Sequence, residues 1–140
     1  MTRRERERFD ALLDEVMESL PPRIHALLEE APLLVDDRPS RAILDALGLA
    51  PDDDSLCGLH QGTPLTDRSV SQGFDLPETM HLFREGIIEE AGGWEPWVDE
   101  DGTALGGDDV VRREIRITVL HEIGHHFGLD EDDLARLGYE

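Results

Sequence analysis

The sequence predicts an α+β fold, with N-terminal helices, a small mixed sheet of about three strands and a buried helix near the C-terminus. Two observations support this prediction. Apolar residues recur at three- and four-residue spacing near both ends of the chain, which is typical of amphipathic helices. Between these ends lie short apolar runs bounded by proline, glycine and acidic residues, which is the profile of strands. The length of 140 residues suits a single domain over residues 1–140.

The N-terminal third is predicted to contain two helices, a strand and a third short helix. A continuous apolar stripe predicts the first helix over Arg3–Leu20, and a proline suited to the first helical turn opens the second over Pro22–Glu30. The apolar run Pro32–Asp37 ends in acids and predicts a buried strand. Ser40 is expected to cap a brief helix, and Gly48 is expected to end it.

The middle of the chain is predicted to supply two more strands and one short helix. The strands are expected over Leu56–Gln61, where Gly58 weakens the pattern, and over Thr79–Arg84. A short helix is expected over Gly86–Ala91. The segment Gly92–Gly107 is rich in glycine and is predicted to be a loop.

A long helix is predicted close to the C-terminus. Asp108 is expected to cap it, and the helix is expected to run from Asp109 to about Phe127. After Arg116 the residues ITVL are apolar around most of the circumference. The second half of this helix is therefore expected to lie in the core.

The composition argues against two classes of partner. The chain carries 33 Asp and Glu against 13 Arg, has no Lys, and has a net charge of −20. Nucleic acids and anionic membranes both require a basic surface, so neither is an expected partner.

No apolar run resembles a membrane span or a secretory segment, which predicts a cytoplasmic protein. The single cysteine, Cys57, is interpreted as a lone buried thiol.

The stretch TVLHEIGHHFGLDED places chemistry on the predicted buried helix. His121 and His125 are four residues apart, so they stand one above the other on one helical face and both imidazoles can hold one metal ion. Glu122 projects about 100° further round, where it can reach a water on that metal. Its expected role is general base in the hydrolysis of an amide.

Zinc is the expected ion, because two imidazoles, one carboxylate and an open position form a catalytic zinc site. Gly128 is expected to end the helix in the left-handed conformation and to turn the chain back toward the metal. The acids Asp130, Glu131, Asp132 and Asp133 follow immediately. One of them is expected to be the third ligand.

These residues resemble a known family. HEIGHHFGLDE is similar to the extended motif H-E-x-x-H-x-x-G-x-x-D of aspzincin-type proteins, and residues 113–139 look like the small bacterial minimal zincin-like metallopeptidases. Upstream, LCGLHQGTPLTDRS and MHLFREGII resemble strand segments of the family, so the similarity extends over residues 56–140. It implies a zinc-dependent metallopeptidase that hydrolyses peptide or protein substrates.

The resemblance also implies roles for individual residues. His121, His125 and the last acid of the motif would bind zinc, and Glu122 would be catalytic. The last position holds Glu131 where the family has aspartate, so Asp130 and Asp132 remain alternatives to Glu131 as third ligand. In such proteins an extended peptide pairs with an edge strand, and residues 56–61 are the candidate edge.

Two rival functions remain open from the sequence. One is a zinc-binding interaction module without hydrolysis, which a filled coordination shell or a buried metal would favour. The other is a small zinc-dependent ribonuclease, which the acidic charge and the position of Glu122 argue against. His126 points away from the histidine pair, which predicts a role in packing or in supporting the metal ligands rather than in binding the metal. Tyr139 is predicted to pack on the helix, with support of an oxyanion as the alternative.

Overall fold

The computed structural model describes residues 1–61 and 79–136, without the side chains of His60, Gln61, Glu131, Leu134 and Ala135. In this part of the chain the helices are α1 (Arg3–Ser19), α2 (Pro22–Glu30), α3 (Arg41–Leu47), α4 (Arg84–Ala91), α5 (Asp108–Phe127) and α6 (Glu131–Arg136). The strands are β1 (Leu33–Asp36), β2 (Gly58–Gln61), β3 (Thr79–Phe83), β4 (Trp97–Val98) and β5 (Ala104–Leu105). No described helix has both the length and the apolar character needed to cross a membrane. The predicted α+β class is confirmed.

The first helices follow their local sequence signals closely. At the start of α1, Thr2 and Glu5 form a capping box, in which each side chain accepts a hydrogen bond from the other residue's backbone N–H, at 3.1 and 3.0 Å. Ser40 caps α3 by accepting a bond from the Ile43 amide, and Gly48 ends α3 in the left-handed conformation. These two predicted ends of α3 are confirmed.

The sheet is small and mixed, as predicted. Its strand order is β1-β3-β2, with β1 parallel and β2 antiparallel to the central strand β3. In β3 the consecutive residues Met80 to Phe83 are all buried, because both faces of the central strand are covered. β2 lies at one edge of this described sheet and begins at Gly58, two residues later than the sequence predicts.

The core lies between α5, the sheet, α1 and α4. The predicted burial of the second half of α5 is confirmed for the apolar residues Val119, Leu120 and Ile123. Ile117 remains exposed on the opposite side of that helix. α5 thus has one face in the core and one face that remains accessible beside β2.

Two local predictions are wrong. The cap of α5 is Gly107, at φ 86°, and not Asp108, which is the first helical residue and forms an ion pair with Arg8. The segment predicted as a loop contains the hairpin β4–β5, because the Asp99 carboxylate accepts the amide hydrogens of Asp101 and Thr103 and so organises its turn. In the hairpin a side chain organises the turn, whereas α5 begins one residue earlier than predicted, after Gly107 with its positive φ.

Candidate functional site

The two motif histidines lie together on the accessible face of α5. Their ring centroids are 4.3 Å apart, as the four-residue spacing on a helix requires, and both side chains are exposed. α5 ends at Phe127, two residues after His125, and Gly128 caps it with φ 66°. The imidazoles of His121 and His125 are therefore close enough to act on one ion in the same space.

Glu122 lies beside them but is buried. Its side chain is 4% exposed, and Oε2 has no hydrogen-bond partner among the described residues. Burial raises the pKa of this carboxyl to about 7, because an isolated carboxylate is poorly stabilised away from water. An unpaired buried carboxyl next to two accessible imidazoles fits a site that receives a cation and a polar ligand.

A cleft of about 430 Å³ joins these side chains to the edge strand. One wall is the segment from Leu56 to Leu59, and the other is the accessible face of α5. The cleft is lined by Leu56, Cys57, Gly58, Leu59, Glu90, Glu114, Ile117, Thr118, His121, Glu122 and His125. The structure thus brings three of the predicted site residues into one accessible cavity.

Gly58 allows β2 to approach α5 at the level of Glu122. A Cβ at this position would lie 2.9 Å from Thr118 Cγ2, 3.0 Å from Glu122 Oε1 and 3.1 Å from Glu122 Cγ. The backbone before it lies even closer to α4, since a Cβ on Gly86 would collide with the Leu56 carbonyl. In the sequence Gly58 only weakens a strand pattern, and no local signal indicates this role.

The cleft contains a thiol and two further acids that the motif did not include. Cys57 is half-buried, and burial raises the pKa of its thiol to about 11, with added repulsion from Glu90 and Glu114. Glu114 precedes His121 by seven residues and therefore shares its helical face. This spacing is the signal in the sequence that could have identified Glu114.

Two of the acids after Gly128, Asp130 and Asp133, bond to each other at the start of α6. The Asp130 amide donates to the Asp133 carboxylate at 3.1 Å, and the Asp133 amide donates to the Asp130 carboxylate at 2.8 Å, which lowers the pKa of Asp130. Among the described side chains, no group of three His, Cys, Asp or Glu is arranged to hold a metal. Glu131 is the first residue of α6, but its side chain lies outside the described set, so its predicted role as third ligand stays a prediction.

The other histidines whose side chains are described lie away from the cleft. His126 is buried, and its ring makes an edge contact with the Phe127 ring. His81 is buried in β3 and stacks on Phe83, while His25 contacts the Met17 carbonyl. The prediction for Tyr139 concerns a residue outside the described part of the chain.

Comparison with known proteins adds one finding about the family. A family model described as zincin-like metallopeptidase matches residues 28–139. The match includes both walls of the cleft and begins further upstream than the residues 56–140 that the sequence resemblance covers. A search of curated proteins found no match.

Proposed function

The chain belongs to the zincin-like metallopeptidase family, and we propose that it hydrolyses peptide bonds in a zinc-dependent reaction. One observation supports this activity most strongly. The buried carboxyl of Glu122, with an unpartnered oxygen, lies in the same accessible cleft as the paired imidazoles of His121 and His125. This is the arrangement that metal-assisted hydrolysis requires of a helix carrying H-E-x-x-H.

His121 and His125 are the proposed histidine ligands, and Glu131 is the proposed third ligand. Zinc bound at this position would supply Lewis-acid activation of a water molecule and of the scissile carbonyl. The donor set suits this ion, because neutral imidazoles and a carboxylate are ligands of catalytic zinc sites. The accessible imidazoles leave room for a substrate on the cleft side.

Glu122 is the proposed general base. Its carboxylate would accept a proton from the attacking water and deliver the proton to the leaving amine, so the same oxygen acts twice in one turnover. Contact between its side chain and β2 holds it in place, because Glu122 packs directly against the backbone of Gly58. No hydrogen bond from the described residues competes for Oε2 of this carboxyl.

The edge strand is the proposed binding site for substrate backbone. β2 uses one side to pair with β3 and forms one wall of the cleft. An extended peptide placed along β2 would receive main-chain hydrogen bonds and lie across the face of α5 that carries His121. Its carbonyl would then lie close to the histidine pair.

The two rival functions fit this cleft less well. An interaction module braced by a structural metal needs ligands closed around the ion, whereas His121 and His125 are exposed in a cavity of about 430 Å³. A ribonuclease needs cations to receive phosphates, whereas Glu90 and Glu114 line this cavity.

Metal content and proteolysis together test the proposal. After zinc loading and dialysis, elemental mass spectrometry is expected to find about one zinc per wild-type chain and a loss of at least tenfold in His121→Ala. His25→Ala is the matched control, because it removes a histidine outside the cleft. Zinc-loaded wild type should cleave a proteome-derived peptide library, and Glu122→Gln should retain zinc but not cleave. A wild-type protein that retains no metal, or equal cleavage by Glu122→Gln, would overturn the proposal.

A further inference from the structure

The cleft has an acidic end at a defined distance from the histidine pair. Glu114 is seven residues before His121 on α5, which corresponds to two helical turns and about 10 Å. An extended peptide advances about 3.3 Å per residue. A substrate side chain near Glu114 would therefore be about three residues from the bond held at the histidines.

Two acids from different helices converge at this end. Glu114 comes from α5 and Glu90 from the last turn of α4, and both line the cavity. The Glu114 side chain is only 19% exposed, and its pKa is raised first by burial and also by the charge of Glu90. The nearest basic partner of Glu114 is its neighbour Arg113, at 3.9 Å and mostly in solvent. The described cleft lining contains no arginine, so this negative charge is poorly compensated inside the cavity.

The approach to the two acids is apolar. Ile117, which is 41% exposed, lies one turn after Glu114 on the same helix, and Leu56 lines the facing wall. Such a path suits a side chain with an aliphatic stem and a cationic head, since the stem can cover apolar surface while the head meets carboxylates. Independently of these acids, the same cleft is lined by Glu122, a 4% exposed residue whose Oε2 has no hydrogen-bond partner among the described residues, which is the condition of a polar group that awaits a ligand.

We infer that Glu90 and Glu114 form a subsite for a lysine or arginine side chain of the peptide substrate, about three residues from the scissile bond. This inference rests on the proposed peptidase function for its substrate, although binding at the subsite needs no turnover. Ile117 and Leu56 contact the aliphatic stem of the bound side chain, and the two carboxylates receive its cationic head. The enzyme then selects basic segments of its substrates.

A titration followed by NMR tests the subsite without any catalytic step. N-acetyl-arginine methylamide is added to the ¹⁵N-labelled zinc-loaded chain, with N-acetyl-glutamine methylamide as the neutral probe. The backbone amides of Cys57 and Ile117 are expected to shift with the arginine probe, with at least fivefold weaker binding of the neutral probe. The double variant Glu90→Gln and Glu114→Gln should lose this difference. Glu89→Gln should retain it, because Glu89 is next to Glu90 but faces Asp54 outside the cleft.

Each outcome of the titration decides one question. Absence of cleft shifts, or equal loss of binding in Glu89→Gln and in the double variant, would overturn the subsite. Selective cleft shifts in a chain that neither retains zinc nor cleaves peptides would support the subsite and reject the peptidase. Where the wild type cleaves the library, basic residues should be enriched severalfold at one position two to four residues from the cut. That enrichment should disappear in the double variant and persist in Glu89→Gln.

Discussion

A methyl group at residue 58 is expected to displace Glu122. In Gly58→Ala the new Cβ would lie 2.9 Å from Thr118 Cγ2 and 3.0 Å from Glu122 Oε1, whereas carbon atoms pack comfortably at about 3.5–4.0 Å. Thr118 has little freedom to yield, because its side chain is branched at Cβ and its hydroxyl donates a 2.8 Å bond to the Glu114 carbonyl. We therefore expect the backbone of β2 to shift away from Thr118 and the Glu122 side chain to move away from the new methyl group.

The expected magnitude combines two opposing effects. Overpacking of a buried contact costs about 1–3 kcal/mol, while replacing glycine in a strand returns about 0.5–1 kcal/mol of conformational entropy. The net loss is centred on about 1 kcal/mol, which for a chain of this size lowers Tm by roughly 3–4 °C. Displacement of the proposed base by a few tenths of an ångström is expected to reduce kcat by roughly 10-fold, with a smaller change in KM, since a misplacement of about 1 Å can cost roughly 100-fold.

Thermal melts by circular dichroism and steady-state cleavage assays measure these effects. Thr118→Ser removes only the colliding methyl group and keeps the hydroxyl that bonds to the Glu114 carbonyl. Alone it is the control for the loss of that methyl group, and combined with Gly58→Ala it relieves the collision. Gly58→Ala combined with Thr118→Ser should recover part of the lost Tm. An unchanged or raised Tm in Gly58→Ala, together with unchanged kcat, would refute the argument that β2 positions Glu122.

Three further properties follow from buried or paired groups. Glu122→Met should raise the free energy of unfolding of the metal-free chain by about 1–3 kcal/mol in urea titrations, because it removes a buried unpartnered oxygen; a decrease would contradict this. The Arg6 and Arg84 guanidinium groups hold the pKa of Asp37 below its usual value, so this stabilisation is present above about pH 3.8. It should be lost as pH falls through the lowered folded-state pKa. In urea titrations from pH 2 to 6, the free energy of unfolding should therefore depend less on pH in Asp37→Asn than in the wild type. Burial raises the pKa of the Cys57 thiol to about 11, so this thiol should react with iodoacetamide at pH 8 roughly 10- to 100-fold more slowly in the folded chain than in urea, and equal rates would contradict the raised pKa.

The sequence by itself determined the elements whose signals are contiguous. The apolar stripe of α1, the caps of α3 and the glycine that ends α5 each depend on residues within a few positions of one another. The spacing of His121 and His125 belongs to the same class, because any helix brings residues four apart onto one face. Local geometry alone was therefore sufficient to predict the histidine pair and the helix that carries it.

Only the tertiary structure decided which distant residues complete the cleft. Nothing near Gly58 indicates that its missing side chain makes room for Glu122, and nothing near Glu90 places it beside Glu114. The Asp108 carboxylate, predicted to be a cap, instead pairs with Arg8 from the other end of the chain. These contacts join segments that are far apart in sequence, and their geometry depends on how α4, α5 and β2 pack together. Local propensity contains no information about such close approaches, because they arise only when the core is assembled.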